Sequence, residues 1–190
     1  MNLPNKLTIA RIVMIPLFVA VFYLNVIPFN YVISAGIFVI AAATDFLDGH
    51  IARKRNLVTD LGKFLDPIAD KVLVSTALII MILPLGGTQI LPFYGAIAVA
   101  LILARELIIS GFRMVAASKG MVIAADKVGK IKTFTQDIAI AVLLVAADVN
   151  PILYSPMNIV GLVILGIATL LTVISGTECI VKNIAVIKTK

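Results

Sequence analysis

Long uncharged runs separated by short clusters of charge set the pattern of this 190-residue chain. Between Arg11 and Asp45 lie 33 residues without a charge. A helix crosses the hydrocarbon core of a bilayer with about 20 residues, so the run divides into two helices. The divider is Asn25-Val26-Ile27-Pro28-Phe29-Asn30, in which Pro and Asn supply turn chemistry. Helix 1 is predicted over roughly 7–25, and helix 2 begins near Tyr31. Since only 14 residues separate that start from Asp45, helix 2 must continue to about Ile51 to span. Asp45 and Asp48 then lie within its last turns. The same arithmetic governs helix 3. Only 12 residues, Val72 to Leu83, precede Pro84-Leu85-Gly86-Gly87, so helix 3 is predicted to start near Asp66, with Asp66 as N-cap and Pro67 in the first turn. Helix 4 runs roughly from Leu91 to Ser118 and carries Arg105-Glu106 inside it; at 1.5 Å per residue Arg105 lies ~20 Å from its start. Helix 5 has ten uncharged residues, Ile138 to Ala147, and must reach back through Asp137, Lys132 and Lys130. Helix 6 occupies roughly 157–178, after the loop holding Pro151 and Pro156. No repeat, low-complexity tract or composition shift divides the chain, so residues 1–190 read as a single domain.

Composition turns these helices into a membrane bundle. Hydrophobic residues make up 61% of the chain and charged ones 14%, against about 25% charged in a soluble domain. The mean hydropathy is +1.12. The expected fold is therefore all-α, a polytopic membrane protein with six transmembrane helices. The first apolar segment has no small-residue cleavage site and reads as a retained helix. The net charge of +6 fits cytoplasmic loops and anionic lipid surfaces rather than nucleic acid. The loops around 26–30, 84–91 and 147–157 hold no Lys or Arg. All sixteen basic residues fall at the opposite helix ends or inside helix 4, which by the positive-inside rule makes those ends and both termini cytoplasmic. A single Cys179 excludes an intramolecular disulfide and a cysteine-based metal site.

The stretch from Thr44 to Lys71 departs from this apolar background. Asp45 and Asp48 are i and i+3 on helix 2, and Asp66 and Asp70 are i and i+4 on helix 3, so each pair projects from one helix face. Charges at membrane depth are costly and mark function. Carboxylates are hard oxygen ligands suited to Mg²⁺, Mn²⁺ or Ca²⁺. Two facing pairs suit two divalent ions clamping a diphosphate. Gly49 and Ala52 remove bulk beside the cluster, and Gly62 can do the same on the far side. The plain alternative is a wet surface on which the aspartates pair with Arg53, Lys54, Arg55, Lys63 and Lys71.

This stretch resembles the signature of the CDP-alcohol phosphotransferase family, D-x-x-D-G-x-x-A-R, eight residues, then G-x-x-x-D-x-x-x-D. Asp45, Asp48, Gly49, Ala52, Arg53, Gly62, Asp66 and Asp70 match every fixed position at that spacing. The family's six-helix membrane domain also matches this chain in size. The resemblance implies transfer of a phosphatidyl group from CDP-diacylglycerol to an alcohol, with release of CMP. It implies two divalent cations, Mg²⁺ or Mn²⁺, on Asp45, Asp48, Asp66 and Asp70, with Asp70 also the general base on the acceptor hydroxyl. Asp48, Gly49, Ala52, Arg53 and Gly62 would line the CDP-diacylglycerol site. It further implies a homodimer, and the positive-inside bias puts the active site on the cytoplasmic side of the cell membrane.

The choice of alcohol rests on other residues. Asn5-Lys6-Leu7-Thr8-Ile9-Ala10-Arg11 resembles the start of the bacterial members that use glycerol 3-phosphate as acceptor, which places Asn5, Thr8 and Arg11 beside the nucleotide. Without the family, Asn5 reads as a cap and Arg11 as a snorkelling cation. A dianionic acceptor needs cations, and Arg113, Lys130 and Lys132 are the candidates near the cytoplasmic ends of helices 4 and 5. Gly129-Lys130-Ile131-Lys132-Thr133 also resembles those members. Arg105 is expected to meet a substrate phosphate or order an aspartate, with Glu106 as its partner. His50 reads as a surface residue, and Ser110 and Gly111 as a close-packing pair. Serine, inositol phosphate or a second lipid are the alternative acceptors. An ion-coupled transporter and an intramembrane prenyltransferase are the alternatives from other classes.

Overall fold

The structure is a computed structural model. It describes residues 3–24, 26–54, 60–82, 89–121, 123, 127–149, 152 and 154–184, with side chains left out at 3–5, 45–54, 60–64, 66, 67 and 127. Six helices, and no strand, occur among the described residues: α1 (Leu3–Tyr23), α2 (Asn30–Lys54), α3 (Asp60–Ile80), α4 (Phe93–Ser118), α5 (Lys127–Val149) and α6 (Pro156–Lys182). The all-α expectation holds, and α2 and α5 extend into charged sequence as span counting required.

One boundary differs. α3 begins at Asp60, six residues before the expected start, so Asp66 is not its N-cap and Pro67 lies inside the helix. A proline inside a helix removes one backbone donor and crowds the preceding turn. The helix nonetheless runs through the Asp66-Pro67 pair that was expected to start it.

Among the described residues three helices are long and apolar enough to cross a membrane, with spans at Lys6–Tyr23, Phe93–Ser118 and Pro156–Lys182. Asn30–Thr44 is a shorter apolar stretch. α3 and α5 carry charge along one end, Asp66 to Lys71 and Lys127 to Asp137. The apolar spans identify a membrane protein. Its outward faces are apolar as well, with Val13, Leu17, Ile40, Leu107 and Leu170 all exposed; a lipid-facing surface has this character.

α2, α3 and α5 occupy the middle of the bundle. α1 packs on α2 and α3, α5 packs on α2 and α6, and α4 packs on α6. The core runs through Phe18 and Phe22 of α1, Phe38 of α2, Leu73 and Leu78 of α3, Ile102 of α4, Ile140 and Leu143 of α5 and Leu165 of α6. Phe18 and Phe38 meet as tilted rings 6.1 Å apart, and Phe22 meets Tyr31 edge-on at 5.1 Å. α5 and α6 approach closely at Gly161, where an added Cβ would come within 2.7 Å of Leu143 Cγ.

The end of the bundle holding the 24–30 and 152–155 segments is finished by neutral or singly charged caps. Asn30 Nδ2 donates to the Phe22 carbonyl at 2.7 Å. The Val32 amide, in the first turn of α2, donates to Asp148 Oδ2 at 2.7 Å. Ser155 Oγ accepts from the Asn158 amide at 3.3 Å, and Pro156 occupies the first turn of α6. These groups satisfy helix-terminal amides and carbonyls that would otherwise lack partners.

Candidate active site

The opposite end carries charge on helix faces. Asp70, Lys71, Val74 and Ser75 of α3 form one wall of a cleft. Ile102, Leu103 and Glu106 of α4 form the second, and Lys132, Thr133 and Gln136 of α5 the third. The spacings explain the convergence: 70 and 74, 102 and 106, and 132 and 136 are each i and i+4 on a helix, so each pair shares a face.

Glu106 is the hub of the polar contacts. Its carboxylate Oε1 accepts from Lys132 Nζ and from Arg105 NH1, the latter at 3.1 Å. Its backbone carbonyl accepts from Ser110 Oγ at 2.5 Å, and Ser110 Oγ accepts in turn from Lys71 Nζ. Arg105 NH2 donates to Ser175 Oγ on α6 at 2.9 Å. The stem of Arg105 lies against Gly176, where a Cβ would stand 2.9 Å from Arg105 Cγ. One carboxylate and its neighbours thus tie α3, α4, α5 and α6 together at the level of the cleft. Lys132 is almost fully buried, its side chain 4% exposed, and a buried ammonium needs such an anionic partner.

The candidate residues fall into three groups. Asp70 and Lys132 are brought to the same cleft. Arg113 is exposed on α4 yet lies within electrostatic reach of Lys71, together with Asp70, Glu106 and Lys132. Lys130 is exposed on the first turn of α5. Arg105 turns to Ser175, Gly176 and Glu106, so the expected Arg105–Glu106 pairing is present.

Near the α1–α2 contact, Thr8 and Arg11 are buried, and Arg11 Nε donates to the Ala41 carbonyl at 3.3 Å, one turn before Asp45. Arg11 is therefore drawn inward rather than snorkelling to the surface. The side chains of Asn5, Asp45, Asp48, Gly49, Ala52, Arg53, Gly62 and Asp66 lie outside the described residues. The backbone nevertheless puts Asp45, Asp48, Gly49, Ala52 and Arg53 on the last turns of α2, and Gly62 and Asp66 on the first turns of α3.

Among the described residues no three His, Cys, Asp or Glu side chains gather at one point. Of the four motif aspartates, the side chain of Asp70 alone is described. The donor chemistry fits a hard divalent cation: the four motif positions offer only carboxylate oxygens, and the half-buried Asp70 lines the cleft.

Several site residues were not anticipated. Lys71 counted only as a counter-charge, and Ser110 as a packing residue. Gln136, Thr133, Ser175 and Gly176 carried no assignment. Gln136 had a readable signal, since it follows Lys132 by four residues on a helix that must bury one face. Ser175-Gly176 had a weaker one, a small polar pair inside an apolar span.

Comparison with known proteins identifies the family. The family model for CDP-alcohol phosphatidyltransferase matches residues 1–174. A Rickettsia bellii protein named CDP-diacylglycerol–glycerol-3-phosphate 3-phosphatidyltransferase is 45% identical over 175 residues, covering 92% of this chain and 91% of the relative. A Bacillus subtilis protein of the same name is 42% identical over 199 aligned positions, covering 99% and 98%. One from Salmonella typhimurium, again of that name, is 42% identical over 147 residues, covering 75% and 76%. With the family model matching residues 1–174 and the motif intact across α2 and α3, the chain belongs to the CDP-alcohol phosphatidyltransferase family.

Proposed function

We propose that the protein transfers the phosphatidyl group of CDP-diacylglycerol to glycerol 3-phosphate, giving phosphatidylglycerophosphate and CMP. The observation that carries this reading is the shared name of relatives at 42–45% identity over most of the chain. The cleft supports it, since Asp70 and Lys132 line the same space. A carboxylate there can take the proton of an attacking hydroxyl, and an ammonium a few ångströms along can hold the acceptor's phosphate.

The glycerol 1-hydroxyl oxygen attacks the lipid-bearing phosphorus, forming a new P–O bond. The bond from that phosphorus to the bridging diphosphate oxygen breaks, and CMP leaves with its own phosphate. The hydroxyl proton passes to Asp70. Asp45, Asp48, Asp66 and Asp70 would hold two divalent cations, Mg²⁺ or Mn²⁺, which when bound neutralise the diphosphate and the charge developing on it. Asn5, Thr8, Arg11, Asp48, Gly49, Ala52, Arg53 and Gly62 form the proposed CDP-diacylglycerol site. The buried Arg11, bonded to the α2 backbone one turn before Asp45, fixes α1 against that helix and so supports this side of the site.

Lys132, Arg113, Lys130 and Arg105 form the proposed acceptor-phosphate group. Lys132 has three N–H donors and spends one on Glu106, leaving donors for phosphate. Arg105 acts through Glu106, which holds Lys132 in place.

The bundle is proposed to cross the cytoplasmic membrane six times as one domain over residues 1–190, both termini and the cleft on the cytoplasmic side. The absence of Lys and Arg from the loops around 26–30, 84–91 and 147–157 supports that orientation. A homodimer is carried over from the family.

Purified protein in detergent with CDP-diacylglycerol and Mg²⁺ should release CMP with glycerol 3-phosphate, and not with serine or inositol phosphate. Chelating the divalent cation should stop turnover, and Mg²⁺ or Mn²⁺ should restore it. Absence of CMP release with every acceptor would overturn the enzyme reading, and faster release with serine would move the acceptor assignment.

A further inference from the structure

Gln136 is 1% exposed, lines the cleft, and its Oε1 has no hydrogen-bond partner among the described residues. An unpaired buried amide costs about 1–3 kcal/mol and is retained where something else supplies the partner. Gln136 stands one helical turn beyond Lys132 on α5, the two facing the same cleft as Asp70. Positions four apart on a helix place their Cβ atoms about 5–6 Å apart. That interval suits a small molecule with an anionic group at one end and a hydroxyl two or three atoms away. Of the other neutral groups on this wall, Thr133 Oγ1 already donates to the Gly129 carbonyl at 3.1 Å.

We propose that the Gln136 carboxamide is a specificity-determining contact that binds the non-reacting hydroxyl of the acceptor while Lys132 binds its phosphate. This deepens the proposed function and rests on it: with glycerol 3-phosphate as acceptor, the hydroxyl is the one on C2. A hydroxyl both donates and accepts, so either face of the carboxamide can serve. The contact also gives the site a reason to reject acceptors that carry a phosphate and one hydroxyl alone. A site with a polar group waiting for a substrate hydroxyl discriminates strongly against the analogue lacking it, because the buried group is left unpaired.

The test compares glycerol 3-phosphate with 3-hydroxypropyl phosphate, identical except for the missing C2 hydroxyl. In the wild-type enzyme kcat/KM should favour glycerol 3-phosphate by about 10- to 100-fold. Gln136→Met, close in shape and without hydrogen-bonding groups, should lose most of that factor on glycerol 3-phosphate and little on the analogue, so the preference collapses to within a few-fold. The preference is a ratio measured on one preparation, so partial misfolding of the variant does not change it. Equal loss on both acceptors, or a preference that survives in Gln136→Met, overturns the proposal. So does a wild-type enzyme that uses the two acceptors equally well, which needs no variant at all. A wild-type enzyme that releases CMP with neither acceptor, yet does so with another alcohol, overturns the glycerol 3-phosphate reading itself and is distinguishable from every other outcome.

Discussion

The two ends of this bundle use polar residues in opposite ways. At the end holding Asn30, Asp148 and Ser155, side chains complete helix termini: Asn30 reaches the Phe22 carbonyl, Asp148 the Val32 amide, and Ser155 the Asn158 amide. Each bond answers a backbone group that helix geometry leaves unpaired. At the other end, Lys71, Arg105, Glu106 and Lys132 sit on helix faces, away from the termini of their helices. No backbone requirement puts them there. Burying a charge in place of an apolar residue seldom adds stability, so the second group has to be explained by what the cleft does. The first end closes a fold, and the second lines the proposed site.

Asp70 gives the sharpest way to break this contrast. Asp70→Asn keeps the shape and the cleft but removes the proton acceptor and one ligand charge. The variant should lose about 10²- to 10⁴-fold in kcat, the range a general base contributes, with its unfolding temperature in detergent close to wild type. Turnover within a few-fold of wild type would remove Asp70 from the chemistry.

Glu106 comes next because it belongs to both descriptions, holding helices together and holding Lys132. Glu106→Gln leaves the Lys132 ammonium, almost fully buried, without its anion. Breaking a buried pair costs about 3–5 kcal/mol, and the partial exposure of Glu106 should put this case near the lower figure. Thermal unfolding in detergent should report the loss, and KM for glycerol 3-phosphate should rise about tenfold as Lys132 is no longer positioned. A stability loss with unchanged KM would reduce Glu106 to a structural tie.

How much of this was legible in the sequence depends on which force placed each residue. The helices were legible because bilayer thickness imposes a length: an apolar run too short to span had to borrow charged residues, and α2 and α5 do so at Asp45 and Lys132. The placement of the motif aspartates was legible to the level of the helix: their spacing assigned Asp45 and Asp48 to α2 and Asp66 and Asp70 to α3, where the backbone has them. The start of α3 differs from the expected one: Asp66-Pro67 is a good local start signal, yet the helix already runs from Asp60. The partner of Lys132 was missed for a related reason. Glu106 was assigned to its neighbour Arg105, and Arg105 does contact it, but Lys132 arrives from a helix 26 positions away. Local sequence gives no measure of which cation will share a carboxylate. Gln136 fell between these cases, with its helix face predictable and its unmet hydrogen bond visible only once α3 and α4 enclosed it.

Asp148 tests the quiet end. It sits in the last turn of α5, and its carboxylate Oδ2 accepts from the Val32 amide at the start of α2 at 2.7 Å. An anion at a helix N-terminus combines a cap with a favourable charge–dipole interaction, and replacing a cap by Ala costs about 1 kcal/mol. Asp148→Ala should therefore lower the unfolding temperature in detergent slightly, and Asp148→Asn, which can still accept the bond, should recover part of the loss. Neither should change kcat or KM for glycerol 3-phosphate, because the bond closes a helix end and faces no cleft residue. If Asp148→Ala instead shifted KM as strongly as Glu106→Gln, the two ends would be coupled through α2 and α5, and the division between a closing end and a working end would fail.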